Sequence, residues 1–414
     1  MNPELQRHLW LELTPHRLVG APLALALAFT LVWQSGSDTG LAALVLFGAA
    51  ALWAQSRMVE SVFAEVRDGT WDTQKLSALS PWSMAWGKLA GAGAFQWYIC
   101  AICMAVFALA NRLHPRADFA LLAVLMALGA VLGQSLALLL ALALVRRGVR
   151  SLSSLMALVS VLALTGIATS LFRGVDAAGW YGMTLSPQSF ALASVATFAA
   201  WAVIGAWRAM CIELKVQTLP WAWLGFIAFL ALYLNGLALP GSAALRGSAL
   251  ACTAALVLGY LAAFVEPREP IALMRWRLAM RAGDWLRVAR DTPCWLLAIA
   301  GALALLPGAL ADGSGSGPML LLYALRDIAL LHVFSYAARA QRAEATTMLY
   351  LALLYWVIPG ILDLAGAVSV SVLIRPPPDQ SSLAGLAALL SQDVALWWLA
   401  AARWQRRVAI AAAA

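Results

Sequence analysis

Charge is scarce in this chain. Only 12% of its 414 residues are Asp, Glu, Lys or Arg, against about 25% in a soluble domain, while 63% are apolar against about 45–50%. That shortage excludes an ordinary water-soluble enzyme. Histidine is thin as well: four residues, at 8, 16, 114 and 332, too scattered for a His-Glu-x-x-His or any clustered ligand set. No Gly-x-Ser-x-Gly elbow occurs. The only Gly-Lys pair, Gly87-Lys88, has Trp82 where a phosphate-binding loop needs its first glycine. Intrinsic catalysis and an ATP site on this chain are therefore not expected, nor is a metal. No basic tract interleaved with aromatics points to nucleic acid. The five cysteines, Cys100, Cys103, Cys211, Cys252 and Cys294, lie almost entirely in or at the ends of apolar runs, which argues against an extracellular disulfide framework. Cys100 and Cys103 form a Cys-x-x-Cys within QWYICAICMAVF and read as two small packing residues on one helix face.

What is present is apolar sequence in long runs, with a mean hydropathy of +0.81. Twelve candidate spans lie at about 17–34, 40–55, 86–111, 118–145, 151–172, 188–207, 220–239, 247–265, 294–311, 319–338, 346–374 and 383–402. The fold expected is an all-α polytopic membrane protein with short amphipathic helices at one surface. The first run is preceded by Arg7 and Arg17 and followed by WQSGSDTG, which offers no small-x-small cleavage site, so it reads as an uncleaved helix. With the N-terminus in the cytoplasm, alternation leaves only Arg112, Arg116, Arg173, Arg246 and Arg375 outside and Arg326 within a span. All the rest of the 28 Lys and Arg fall inside. That asymmetry predicts an even number of spans in the cytoplasmic membrane and both termini in the cytoplasm.

Two cytoplasmic loops are long, at about 56–85 and 266–293, each preceded by two spans and followed by four. The order two, loop, four occurs twice, which predicts six-helix halves at 1–213 and 214–414. Gly69-Thr70-Trp71 with Pro81-Trp82 in the first loop is echoed by Gly283-Asp284-Trp285 with Pro293-Cys294-Trp295 in the second. In the first loop Glu60, Glu65 and Arg67 extend the preceding helix into water and Asp68-Gly69 breaks it. Thr70 then caps a short amphipathic helix through Leu79, and Pro81 ends it.

This loop resembles that of the permease subunits of ABC-2 type ABC transporters, on Glu65, Gly69, Thr70, Leu76, Leu79, Ser80, Pro81, Gly87 and Lys88. The likeness covers residues 1–213 well and the second half only in outline. It implies that Glu65, Gly69, Thr70, Trp71, Leu76, Leu79, Pro81 and Lys88 form a coupling element seated on a separate ATPase. Two ATPase subunits are expected per transporter, with ATP and Mg on the partner and no cofactor on this chain. The resemblance also implies a short re-entrant pair of helices at 173–187, where an ordinary loop is equally compatible with the residues. In the second loop Gly283, Trp285 and Arg287 are candidates for a second coupling element. Arg275, Arg277, Arg281, Arg287 and Arg290 beside Leu278, Trp285 and Leu286 suit an interfacial helix on anionic headgroups equally well. Residues 3–16 read as an interfacial helix with Leu5, Leu9, Trp10 and Leu13 on its membrane face.

Four charges stand within spans: Arg326, Asp327, Asp363 and Asp393. Each costs roughly 2.5–3.5 kcal/mol at membrane depth unless paired. Neighbours in a helix point about 100° apart, so Arg326 is expected to pair with Asp363 or Asp393 rather than Asp327. The cluster reads either as structural ion pairs or as a substrate or proton path. The function expected is a permease subunit exporting a substrate on ATP hydrolysed elsewhere, one copy per complex. The alternative is an ion-coupled secondary transporter using the intramembrane carboxylates.

Overall fold

The computed structural model describes residues 2–77, 79–148, 179–184, 186–238, 247–311, 316–337, 343–376 and 383–413. The chain is an all-α polytopic membrane protein: ten of the described helices are long and apolar enough to cross a membrane. Helices prevail because in lipid every backbone N–H and C=O must be satisfied within its own segment. The chain divides into two compact units, Met1–Ala177 with Leu185–Thr218, and Ala178–Thr184 with Leu219–Ala414.

The first unit contains α1 (Pro3–Glu12), α2 (Pro15–Gln34), α3 (Thr39–Arg67), α4 (Thr70–Lys75), α5 (Pro81–Gly91), α6 (Ala94–Leu113), α7 (Phe119–Arg146) and α8 (Pro187–Glu213). The second contains α9 (Trp221–Asn235), α10 (Gly247–Val265), α11 (Pro270–Ala282), α12 (Trp285–Asp291), α13 (Cys294–Ala311) and α14 (Gly317–Ser335). It continues with α15 (Ala343–Ala352), a π-helical turn (Leu353–Val357), α16 (Ile358–Leu364), α17 (Val368–Ile374) and α18 (Leu383–Ala413).

Ten of the twelve apolar runs appear as the long helices. Of the other two, 151–172 lies outside the described residues, and 220–239 is the 15-residue α9, about 22 Å long and shorter than a hydrocarbon core of about 30 Å. The run at 86–111 is divided at Ala92-Gly93 into α5 and α6, and the run at 346–374 is broken at Gly366, whose φ of 76° only glycine adopts freely. Of the segment at 173–187, residues 179–184 form strands β1 (Gly179–Trp180) and β2 (Met183–Thr184). They make a hairpin turning at Tyr181-Gly182, and β1 pairs on its other edge with β3 (Leu237–Ala238). Strand backbone thus replaces the re-entrant helices over those residues.

The two units repeat one packing plan. In the first, α3 packs on α6 and α7, α2 on α3 and α6, and α7 on α8. In the second, α10 packs on α13 and α14, α9 on α10 and α13, and α14 on α18. Each central helix presents small residues to its neighbours: Ala43, Ala50, Ala51 and Ala54 on α3, and Ala249, Cys252, Ala255, Gly259 and Ala263 on α10. In lipid, where apolar side chains gain little by meeting one another, such residues let backbones approach closely.

Candidate functional site

The first loop begins where α3 outruns the membrane. Its 29 residues extend about 43 Å, so its last turns stand beyond a hydrocarbon core of about 30 Å. Asp68 ends the helix and Gly69, at φ 72°, turns the chain into α4. Gly69 rather than Thr70 is the N-cap residue of α4. Thr70 is the first helical residue, and its hydroxyl donates back to the Glu65 carbonyl at 3.2 Å. α4 stops at Lys75, four residues before the predicted end, which leaves Leu76 88% exposed and Leu79 half-buried outside the helix. Ser80 caps α5 by accepting from the Ser83 N–H at 3.1 Å, and Pro81 opens that helix instead of closing α4. A proline has no N–H to lose in a first turn, so the position suits it.

Glu65 does not face water. It is buried, together with Lys88, whose side chain is 0% exposed. The Lys88 ammonium donates to Glu65 Oε2 at 2.5 Å, to Glu4 Oε1 at 2.9 Å and to Gln74 Oε1 at 3.2 Å, so one nitrogen ties α5 to α3, α1 and α4. Arg7 donates to Glu4 at 2.9 Å and also to Glu65. His8 Nε2 lies 3.2 Å from Glu4 Oε1. Two carboxylates thus face two permanent cations in a closed network. Burial by itself raises the Glu4 carboxyl, but the hydrogen bonds with His8, Arg7 and Lys88 and the Lys88 charge outweigh it and hold Glu4 well below the ordinary carboxylate range. Arg7 is raised despite its burial, by its bonds to the same two acids. Glu4, His8 and Glu65 bring their ligating atoms within 4.8 Å of one another, as a metal site would. The Lys88 ammonium already supplies the positive charge there, and the donor set gives no ground for an ion beside it.

This arrangement inverts α1. Its Glu4, His8 and Glu12 stripe, spaced at four residues, is the buried face, whereas Trp10 is 77% exposed and Leu11 62%. The close approach is possible because α5 offers Gly87 and Gly91 one turn apart: a Cβ at Gly87 would lie 2.7 Å from Glu4 Cβ, and one at Gly91 would lie 2.6 Å from His8 Cβ. Asn2 Nδ2 also donates to the Ser83 carbonyl at 2.6 Å. Glu12 in turn accepts from Arg17 at 2.8 Å and Arg57 at 3.1 Å. Trp71 packs in the core of this unit beside Met58, Val62 and Met84, with Lys88 and Lys75 lying 5.2 and 5.5 Å from its ring centroid. Lys75 reaches Glu213 at the end of α8, at 3.5 Å. Of the first-loop candidates Glu65, Trp71 and Lys88 therefore converge on one buried junction, whereas Gly69 and Thr70 are exposed, Pro81 is half-buried, and Leu76 and Leu79 stand outside it. Glu4, Arg7, His8, Gln74 and Glu213 belong to it as well, unforeseen from sequence. The i, i+4, i+8 polar stripe of α1 and the Gly-x-x-x-Gly of α5 were the legible signals.

The second loop has the same backbone plan with the opposite burial. Gly283 again takes a left-handed conformation, φ 71°, before a short helix, and Asp284 caps that helix on the Arg287 N–H at 3.1 Å. Trp285, however, is 71% exposed and Leu286 60%, and Arg287 is exposed beside them.

In the second unit Arg326, Asp327 and Asp393 come together and Asp363 does not, lying exposed near the end of α16. Arg326 Nε donates to Asp327 at 3.2 Å, against the expectation that sequence neighbours diverge: the long guanidinium curls back along its own helix. Arg326 Nη1 donates to Gln392 at 3.1 Å and to the Ile374 carbonyl at 3.2 Å, while its Cζ stands 4.9 Å from the ring centroids of both Tyr323 and Tyr355. Asp327 Oδ2 accepts from the Tyr355 hydroxyl at 2.8 Å and the Tyr260 hydroxyl at 3.3 Å. Tyr355 is presented by the π-helical turn. Pro359, four residues on, has no N–H for the Tyr355 carbonyl, which accepts from Arg375 at 3.0 Å instead.

Comparison with family models, with curated proteins and with solved structures finds no match to this chain.

Proposed function

We propose that the protein is the permease subunit of an ABC-2 type transporter in a cytoplasmic membrane, moving a substrate outward on ATP hydrolysed by a separate ATPase. The observation that carries this reading is the junction at Lys88. A short helix bounded by a left-handed glycine and a proline-opened helix is joined through one buried ammonium to α1, α3 and α5, so force applied to α4 reaches a spanning helix through charge-assisted hydrogen bonds. The exposed Leu76 beside this helix suits contact with a soluble motor. The positive-inside count supports placing both loops and both termini in the cytoplasm.

The repeated packing plan supports one chain supplying both transmembrane halves to two ATPase subunits, with unequal docking at the two loops. Two tests bear on this. Purified from its own host membranes, the chain should carry a P-loop ATPase, and L76D/L79D should lose that subunit without a change in thermal unfolding; a variant that keeps it removes the coupling assignment. Native mass spectrometry should show one 44.1 kDa chain per ATPase pair, and two copies would overturn the single-chain arrangement. A second reading, an ion-coupled transporter, is favoured by the buried Arg326, Asp327 and Asp393 cluster. It requires transport to follow an ion gradient without ATP.

A further inference from the structure

The charges of the α14 cluster do not balance. Arg326 brings one positive charge, and Asp327 absorbs it with a full set of donors: Arg326 Nε on one oxygen, the Tyr355 and Tyr260 hydroxyls on the other. Asp393, on the face of α18 that packs against α14, is 6% exposed, and neither of its carboxyl oxygens has a hydrogen-bond partner. Of the described elements against α18, α14 contributes Arg326 and Asp327 and, further along, His332 against the Trp397 ring; α13 brings Trp295, stacked on Trp397; α11 contributes Arg277, which sits over Trp404 towards the far end. α17 carries no ionisable side chain, and Arg375, which follows it, is exposed and donates to the Tyr355 carbonyl at 3.0 Å. An ionised Asp393 would leave the cluster one negative charge in excess at membrane depth, where a lone charge costs roughly 2.5–3.5 kcal/mol even on the mildest scales. A second unsatisfied group lies in the same cluster: Arg326 Nη2 is buried and has no acceptor.

We propose that Asp393 is a proton-binding carboxyl, neutral in the conformation described, and that Arg326 is the counter-charge that lets it give the proton up. Deprotonation breaks the Asp393 O–H bond and passes the proton to water. The carboxylate left behind is met by the Arg326 Nη2–H, and Asp327 keeps its two tyrosine donors while sharing the guanidinium. Reprotonation returns Arg326 wholly to Asp327. The two arrangements differ in which carboxylate the guanidinium serves, while the tyrosine rings on which it lies can stay with it in both. A cavity of about 260 Å³ lined by Tyr260, Tyr323 and Asp327, together with Thr253 and apolar side chains of α10 and α14, reaches the edge of this cluster. The site takes a proton whichever energy source drives transport, so its test and that of the ATPase reading are separate.

The test uses the full chain in detergent or lipid and N,N′-dicyclohexylcarbodiimide, a lipid-soluble reagent for protonated carboxyls. Peptide mapping by mass spectrometry should place the adduct on Asp393 in the wild-type protein, with Asp327 unlabelled, and labelling should fall as pH is raised. D393N, which imitates the neutral acid, should fold with unchanged thermal unfolding and lose the adduct. It should also lose a protonated-carboxyl carbonyl band from the pH-difference infrared spectrum. Arg326→Gln, by removing the counter-charge, should move the loss of labelling to higher pH. No adduct on Asp393, labelling of Asp327 in its place, or an infrared spectrum in which D393N matches the wild type overturns the proposal.

Discussion

Trp71 and Trp285 stand at matching places in two loops written on one plan, each two residues past a glycine at φ 71–72° and in the first turn of a short helix, yet one is 4% exposed and the other 71%. Backbone geometry was kept in both loops while the chemistry of burial diverged. Around Trp71 there is a partner helix, α1, that brings acids to meet Lys88. Beside Trp285's helix the packed neighbour is α11, which has no acid of its own, and arginines and exposed apolar side chains remain. A turn and a helix of given shape do not by themselves fix a loop in place; in the first loop the buried charges that bind it to its neighbours do. By that measure the second loop suits a membrane surface better than a motor.

The difference can be broken from either side. The largest effect is expected for Lys88→Met, which strands Glu4 and Glu65 without their shared cation and should cost about 3–5 kcal/mol in unfolding free energy. Arg281→Met in the second loop should leave thermal unfolding in detergent unchanged. Equal losses would mean that the two loops are held alike. Next, Trp71→Ala empties a packed site and should cost about 3 kcal/mol, whereas Trp285→Ala should stay within about 0.5 kcal/mol. Gly87→Ala forces a methyl against Glu4 and should cost about 1–3 kcal/mol; hydrogen exchange should report the release of α1 and no change in α12.

The smallest effect concerns pH. Because Glu4 is held below its unfolded-state value, the stability it contributes is fully present above the ordinary carboxylate range and is lost as pH falls through that range and below it. Exchange protection of α1 should therefore decline under acid before that of α11 does. If the two decline together, Glu4 is not the group that anchors α1.

The spans are readable because twenty apolar residues in a row have few other uses, and the break after α3 is readable from Asp68-Gly69 alone. The junction is not. Reading α1 as amphipathic assigned its leucines to the membrane and its acids to water, the usual choice for a polar face, and nothing local says that Glu4 has a lysine waiting 84 residues away. Glu65 was placed in water for the same reason. Pro81 reads as a stop in the sequence and is a start in the fold, since a proline between two short helices fits either role until the capping Ser80 is seen. In the second unit, the length of the arginine side chain defeated a rule about Cβ directions.

The separation between Glu4 and Lys88 also sets an order of events in synthesis. α1 leaves the ribosome before α5, and the cation that its buried face requires follows 84 residues after Glu4, about 4–17 s at ordinary rates of elongation. Through that interval Glu4 and His8 lack the α5 surface they pack against, while Leu5, Leu9 and Trp10 give the segment a face that lipid will hold. α1 therefore waits at the membrane on one side of itself and settles on the other. The arrival of α5 with its two glycines is the step that turns a loosely held leader into part of the wall.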